Sequence, residues 1–142
     1  MLVSELMSPH VISVLPDESA SAAARLLDRH NIGALPVCTE DGCLRGIVTD
    51  RDIVLRCVAA ESAPEETRVR EIMSRGVIGV APGEDVREAT RLMAERRVRR
   101  LPVVVDGRVV GMLALGDMAR HHRFDMEASK ALSEISAASR AH

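Results

Sequence analysis

Val3-Ser4-Glu5-Leu6-Met7-Ser8 returns as Val69-Arg70-Glu71-Ile72-Met73-Ser74, 66 residues further along the chain. Outward from this pair, Pro16 returns as Pro82 and Leu35-Pro36-Val37 as Leu101-Pro102-Val103 at the same interval. Beyond them the interval is 65: Asp41-Gly42 answers to Asp106-Gly107, Gly46 to Gly111 and Asp52 to Asp117, so one residue has been lost in a turn. An interval kept through several separate motifs marks an internal duplication. A unit this small buries little apolar surface by itself, so the two copies are expected to pack together and leave a cleft at their junction.

The 142 residues suit one compact domain made of two similar halves. Apolar residues make up 46%, yet there is one Phe and neither Trp nor Tyr, so the core must be built from aliphatic side chains and the seven Met. Without stacking platforms, and with a net charge of -2, nucleic acid is not an expected partner. The start Met1-Leu2-Val3-Ser4-Glu5-Leu6-Met7 lacks the pattern of a secretory signal, and no apolar run is long enough to cross a bilayer. These features predict a cytoplasmic protein with no membrane contact. Three Cys is an odd number and fits reduced thiols better than a disulfide framework.

Each copy opens on a short apolar stretch, Val11-Ile12-Ser13-Val14 or Val77-Ile78-Gly79-Val80, read as a strand. Ala20, Ala23, Ala24 and Leu27 then recur at helical spacing, matched by Val86, Ala89, Thr90 and Met93, which is the apolar stripe of an amphipathic helix. Two β-rich runs around an Asp-Gly turn follow, Leu35 to Cys38 with Leu44 to Val48 and Leu101 to Val105 with Arg108 to Leu113; this is a strong hairpin signal. A second helix is expected over Asp50 to Ala60 and over about Gly116 to His122, with Cys57 in the core. The unit thus reads βαββα. The boundaries are residues 1–61 for the first repeat, 62–68 for a linker with Pro64, 69–122 for the second repeat and 123–142 for a helical tail.

The order of these elements, the Leu-Pro-Val strand, the Asp-Gly hairpin and the closing Gly46-Ile47-Val48-Thr49-Asp50-Arg51-Asp52 resemble the cystathionine β-synthase (CBS) domain, present here as the tandem pair called a Bateman module. The resemblance covers residues 1 to about 122. It implies an α+β fold of two pseudo-symmetric repeats, with clefts that commonly bind adenosine nucleotides, no required cofactor, and pairing into a homodimer. Modules of this kind often regulate an enzyme or transporter fused to them; no such domain stands in this chain. The expected function is that of a sensor, not an enzyme: a ligand such as AMP, ADP, ATP, NAD or S-adenosylmethionine binds, and the affinity for a partner protein changes.

Thr49 followed three residues later by Asp52, at the start of a helix, sets a hydroxyl and a carboxylate beside unsatisfied backbone N–H groups. Two readings stand. The pair is a capping box, or the carboxylate takes the two hydroxyls of a ribose while the hydroxyl favours a phosphate, the role that the resemblance implies. In the second copy Asp117 remains but Ala114 replaces the Thr, and losing one hydrogen bond to a charged phosphate costs roughly 1.5–3 kcal/mol, so the Asp52 cleft is expected to bind more strongly. Asp117 has its own plain reading as an acidic residue near a helix N-terminus. Arg96 and Arg97 read as a solvated helix end. Arg99 and Arg100 lead straight into the second Leu-Pro-Val, where the first copy has Gly33 and Ala34. The resemblance makes them phosphate contacts, which their forked donors suit; the alternative is ion pairs with the other half. It also points to Val11, Ile12, Ala34, Pro36, Ile78 and Pro102 as walls of an adenine slot, positions that a core would fill with the same side chains.

Other functions leave weaker marks. No Ser-His-Asp order, Walker loop or dinucleotide fingerprint is present, and His10, His30, His121, His122 and His142 follow no catalytic spacing. Cys38 and Cys43 flank the first hairpin turn and offer half a soft metal site or an oxidisable pair. Nothing clearly supplies further ligands, so no metal site is predicted. Ala128, Ala131, Leu132, Ile135 and Ala138 form a stripe in the tail, suited either to a neighbouring molecule, as in a ligand-independent homodimeric interaction module, or to the chain's own repeats.

Overall fold

The computed structural model describes the backbone of residues 1–121 and 125–140. His122 and His142, and the surroundings of the Ala128 and Ala138 side chains, lie outside the described residues. The elements run α1 (Val3–Leu6), α2 (Ala20–His30), β1 (Ala34–Cys38), β2 (Leu44–Thr49), α3 (Asp50–Ile53) continued by a π-helical turn (Val54–Val58), α4 (Val69–Ile72), α5 (Val86–Arg96), β3 (Arg100–Val105), β4 (Arg108–Ala114), α6 (Leu115–Ala119) and α7 (Asp125–Arg140). The chain is α+β, with the helix, hairpin and closing helix of each repeat where the patterns put them. The leading strand is shorter than expected. It survives as one parallel bridge per repeat, Val14 with Val37 and Val80 with Val103. The repeated Val-x-Glu motif, to which the apolar pattern gave no structure, forms α1 and α4. Its Glu explains why: Glu5 accepts the Leu2 N–H at 2.9 Å and Glu71 the Arg68 N–H at 2.7 Å, so a single turn starts with its N-terminal donors partly met.

The chain divides into two compact units that cut across the repeats. One holds Met1–Val11, Ile78–Asp106 and Val110–His142; the other holds Ile12–Val77 with Gly107–Val109. In the unit around Ile12–Val77, the core gathers Ala20, Ala23 and Leu27 of α2, Leu35, Val37 and Val48 of the hairpin, Ile53 and Cys57, and then Val69, Ile72 and Met73 of the second motif. The unit around Ile78–Asp106 has a matching core of Val86, Ala89, Met93, Leu101, Val103, Leu113 and Met118, and takes Val3 from the first motif. Helix α7 lies on α5 and α6 of this unit, with Ala131 and Ile135 in the core and Leu132 outward. Among the described residues no helix is long and apolar enough to cross a membrane.

The recurring motifs account for one another. Ile47 in β2 lies opposite Pro36 but exchanges both of its backbone hydrogen bonds with Ser74, at 3.0 and 2.8 Å. Pro36 therefore sits in a strand without being asked for the N–H it lacks, while its carbonyl takes the Val14 N–H at 3.1 Å. In the other unit Met112 makes the same exchange with Ser8, at 2.9 and 2.8 Å, and Pro102 accepts from Val80 at 3.0 Å. The Met-Ser ends come this close because a glycine faces them. A Cβ on Gly46 would lie 2.7 Å from the Ser74 carbonyl oxygen and 2.9 Å from the Met73 sulfur; one on Gly111 would lie 2.8 Å from both the Ser8 oxygen and the Met7 sulfur.

Candidate functional site

The candidate residues fall into two sets, one in each compact unit. In the first unit Thr49 ends β2 opposite Ala34, and the Asp50 N–H donates to the Gly33 carbonyl at 3.0 Å, so the start of α3 is pinned against the start of β1. The capping box is made: Asp52 N–H donates to Thr49 Oγ1 and Thr49 N–H to Asp52 Oδ2, both at 3.0 Å. Asp52 is buried, with only 8% exposed. Its other oxygen, Oδ1, lies 3.8 Å from Arg56 Nη1, which also donates to the Ile72 and Met73 carbonyls at 3.1 and 3.3 Å. Pro36 is buried at the middle of β1, and Ile12, two residues before Val14, packs against the same core.

In the second unit the backbone repeats the corner. The Leu115 N–H donates to the Arg99 carbonyl at 2.8 Å, and the Ala114 N–H to Asp117 Oδ2 at 3.3 Å. Ala114 offers no hydroxyl, so the box is half made. Arg120 holds Asp117 Oδ1 in an ion pair, and the carboxylate is about a quarter exposed, 23% against 10% for Asp52. Arg99 and Arg100 are exposed and make no ion pair with a described residue. Arg96 ends α5 and Arg97 caps it in the left-handed conformation at φ 56°, as Asn31 caps α2 at φ 52°. Pro102 is buried, Ile78 partly so, and Val11 belongs to this unit whereas its neighbour Ile12 belongs to the other.

Arg56 and Arg120, the arginine partners of the two carboxylates, are functional neighbours that the motifs do not include. Their signal was present, since Asp followed by Arg at four or three positions on a helix brings the charges together. An ionised carboxylate has about four acceptor positions. With Oδ2 on the cap and Oδ1 toward an arginine, each Asp keeps room for hydroxyl donors, and Thr49 keeps its own proton to give.

The cysteines are all free thiols. Cys38 is buried opposite Leu44, and Cys43 is half-buried beside Thr39, whose N–H donates to the Cys43 carbonyl at 2.9 Å. Burial first, and the neighbouring Cys43 second, push the Cys38 thiol above its ordinary pKa. Because the thiolate is the nucleophile, alkylation at mildly alkaline pH should modify Cys43 well before Cys38 or the buried Cys57, as peptide mass mapping over time would show. Equal rates at all three would contradict this. Among the described residues no three His, Cys, Asp or Glu side chains gather as a metal site.

The model of the CBS domain matches residues 3–58 and again 69–123. The CBS domain-containing protein YhcV of Bacillus subtilis is 40% identical over 134 residues, 94% of either chain. The crystal structure of Hypoxic Response Protein I, which has two coordinated zinc ions, superposes with a TM-score of 0.79 at 36% identity, covering 85% of this chain and 98% of that one. The CBS domain pair of protein MJ0100, solved in complex with 5′-methylthioadenosine and S-adenosyl-L-methionine, gives a TM-score of 0.75 at 34% identity, covering 84% and 94%.

Proposed function

Because the chain belongs to the CBS-domain family and carries the domain twice, we propose that it is a regulatory module that binds an adenosine-containing ligand and changes its partner interactions in response. The observation that carries the reading is the pair of equivalent corners, each with an aspartate at a strand-to-helix junction that retains open acceptor positions. The ribose hydroxyls donate to Asp52 in one unit and Asp117 in the other. Thr49 adds a donor beside Asp52, and Arg99 and Arg100 face phosphate near Asp117. Ile12, Ala34 and Pro36 in one unit, and Val11, Ile78 and Pro102 in the other, flank the base. The chain acts as a sensor and not as a catalyst, and AMP, ADP, ATP, NAD and S-adenosylmethionine are the ligands to try. That MJ0100 was solved with adenosine-derived ligands supports the choice. A homodimer is the assembly that suits the exposed Val54, Leu55 and Val58, which share one face of a short helical stretch.

The test is a thermal-shift panel of these ligands on the wild type and Asp52→Asn. Asn still offers an oxygen to the Thr49 N–H, so the cap survives, but it presents an amide donor where a carboxylate accepted. A ligand at a hundred times its Kd stabilises by about 2.7 kcal/mol, which a melt resolves easily. The variant should bind ten- to a hundredfold more weakly, the loss of a hydrogen bond to a charged group. If no ligand moves the wild-type melt and calorimetry agrees, the Thr49–Asp52 pair is a cap and nothing more.

A further inference from the structure

The hairpin of the first repeat carries two thiols that its twin lacks: Cys38 and Cys43 answer to Val104 and Arg108. They flank the turn at residues 39–42. After a register shift at Val37 and Cys38, Cys38 lies opposite Leu44, and Cys43 occupies the next rung, where the Thr39 N–H donates to its carbonyl at 2.9 Å. Cα atoms diagonal across successive rungs stand roughly 5.5–6.5 Å apart, a span that a disulfide bridges. Side chains on successive rungs of a regular ladder point to opposite faces, so joining the two sulfurs requires one residue to turn. Cys43 is the less firmly held of the two. Its N–H donates to a side chain, Thr39 Oγ1 at 3.2 Å, whereas the Cys38 N–H donates to the Val14 carbonyl at 3.0 Å inside the strand.

Cys43 is half-buried, while Cys38 and Cys57 are buried. Burial, and Cys43 after it, hold the Cys38 thiol above its ordinary pKa, so an oxidant in solution meets Cys43 first. Cys43 also sits where the two hairpin turns meet. It forms a bridge with its twin Arg108, the Leu44 N–H donating to the Gly107 carbonyl at 2.9 Å and the Val109 N–H to the Gly42 carbonyl at 3.0 Å. Turning Cys43 toward Cys38 displaces Gly42 and Leu44, the two residues that make these bonds. We propose that Cys43 and Cys38 are a peroxide-sensitive thiol pair whose oxidation parts the two hairpin turns. The Cys43 sulfur attacks a peroxide oxygen; an S–O bond forms, the O–O bond breaks, and a sulfenic acid and water result. The Cys38 sulfur then attacks the Cys43 sulfur; the S–S bond forms, the S–O bond breaks, and the hydroxyl leaves as water with the Cys38 proton. In sum two thiols and one hydrogen peroxide give one disulfide and two waters, the electrons passing to the peroxide. A thiol reductant reverses the step. The pair is separate from the Thr49–Asp52 corner and stands whether or not an adenosine ligand binds.

The test treats the reduced full chain with hydrogen peroxide, blocks free thiols with iodoacetamide and digests with trypsin, which leaves both cysteines in one peptide, residues 30–45. That peptide should come out two hydrogens lighter and take no label until dithiothreitol is added, with Cys57 unchanged. Hydrogen exchange on the oxidised chain should be about tenfold faster at the Leu44 and Val109 amides, while Ile47 and Ser74 keep their protection. Cys43→Ser should abolish both effects. Cys38→Ala should stop at a sulfenic acid on Cys43, which dimedone traps, with exchange at Leu44 and Val109 unchanged. The wild-type chain decides the matter even where a variant fails to fold. A peptide that keeps its mass, one that gains oxygen without forming the bond, or a disulfide between two chains on a non-reducing gel would overturn the pairing. An internal disulfide with unchanged exchange at Leu44 and Val109 would overturn the parting of the turns.

Discussion

Gly46→Val and Gly111→Val are each expected to destabilise the chain strongly, by more than the about 1–3 kcal/mol typical of an overpacked core position. The reason is backbone, not side chain. At Gly46 even a single Cβ meets the Ser74 carbonyl oxygen at 2.7 Å, and at Gly111 the Ser8 oxygen at 2.8 Å. A flexible side chain would swing aside, but these oxygens belong to residues that exchange two hydrogen bonds each with Ile47 and Met112. Separating the strands to admit a methyl breaks those bonds and withdraws Met73 or Met7 from its packing position. Native stability is commonly about 5–15 kcal/mol, so a valine consumes a large share of it. Urea melts of Gly46→Ala, Gly46→Val and the Gly111 pair should show graded losses. Gly83→Ala, with nothing within 4 Å of its added Cβ, should melt as the wild type does. Wild-type midpoints for the Gly46 and Gly111 variants would show that the Met-Ser segments do not dock as described.

Deleting residues 1–8 is expected to damage the part of the chain that is most distant from it in sequence. Val3 is fully buried in the core with Val86, Leu101 and Leu113, and its removal alone forfeits roughly 1.5–3 kcal/mol of apolar burial. The same segment accepts the Val86 N–H on the Met1 carbonyl, donates from Val3 and Ser4 to the Glu84 and Pro82 carbonyls, and pairs Ser8 with Met112. Each such bond contributes about 0.5–1.5 kcal/mol. Hydrogen exchange followed residue by residue separates the outcomes. The Val86 and Met112 amides should lose protection in the truncated chain, whereas Ile47 and Ser74, paired within the other unit, should keep theirs. Loss of protection at Ile47 with Met112 unaffected would show that the N-terminal segment serves the first repeat instead.

Much of the architecture was legible because it is written in short-range pattern. The stripe Ala20, Ala23, Ala24 and Leu27 and its twin predicted α2 and α5, and the Asp-Gly pairs predicted both hairpins, because periodicity and turn chemistry act within a few residues. The leading strand is shorter than its composition predicts for a related reason. Val11 to Val14 has the composition of a strand, but only Val14 finds a ladder partner. The Thr49–Asp52 box was legible in full, since a cap is local. Arg56 and Arg120 are legible only as spacing, four and three residues after their aspartates.

The sequence by itself determined the number of repeats, the order of elements in each, the capping chemistry at Thr49 and Asp52, and the charge difference between Gly33-Ala34 and Arg99-Arg100. All of these depend on residues close in the chain or on a repeated interval. Only the tertiary structure decided that each Val-x-Glu-x-Met-Ser motif completes the hairpin of the other repeat, that Gly46 and Gly111 exist to admit it, and that Pro36 is tolerated because Ile47 bonds elsewhere. Those facts join Met7 to Gly111 and Met73 to Gly46. A hydrophobic and turn pattern carries no address for a distant partner; the partner is chosen by which backbone approach leaves no buried donor unpaired and no core position empty.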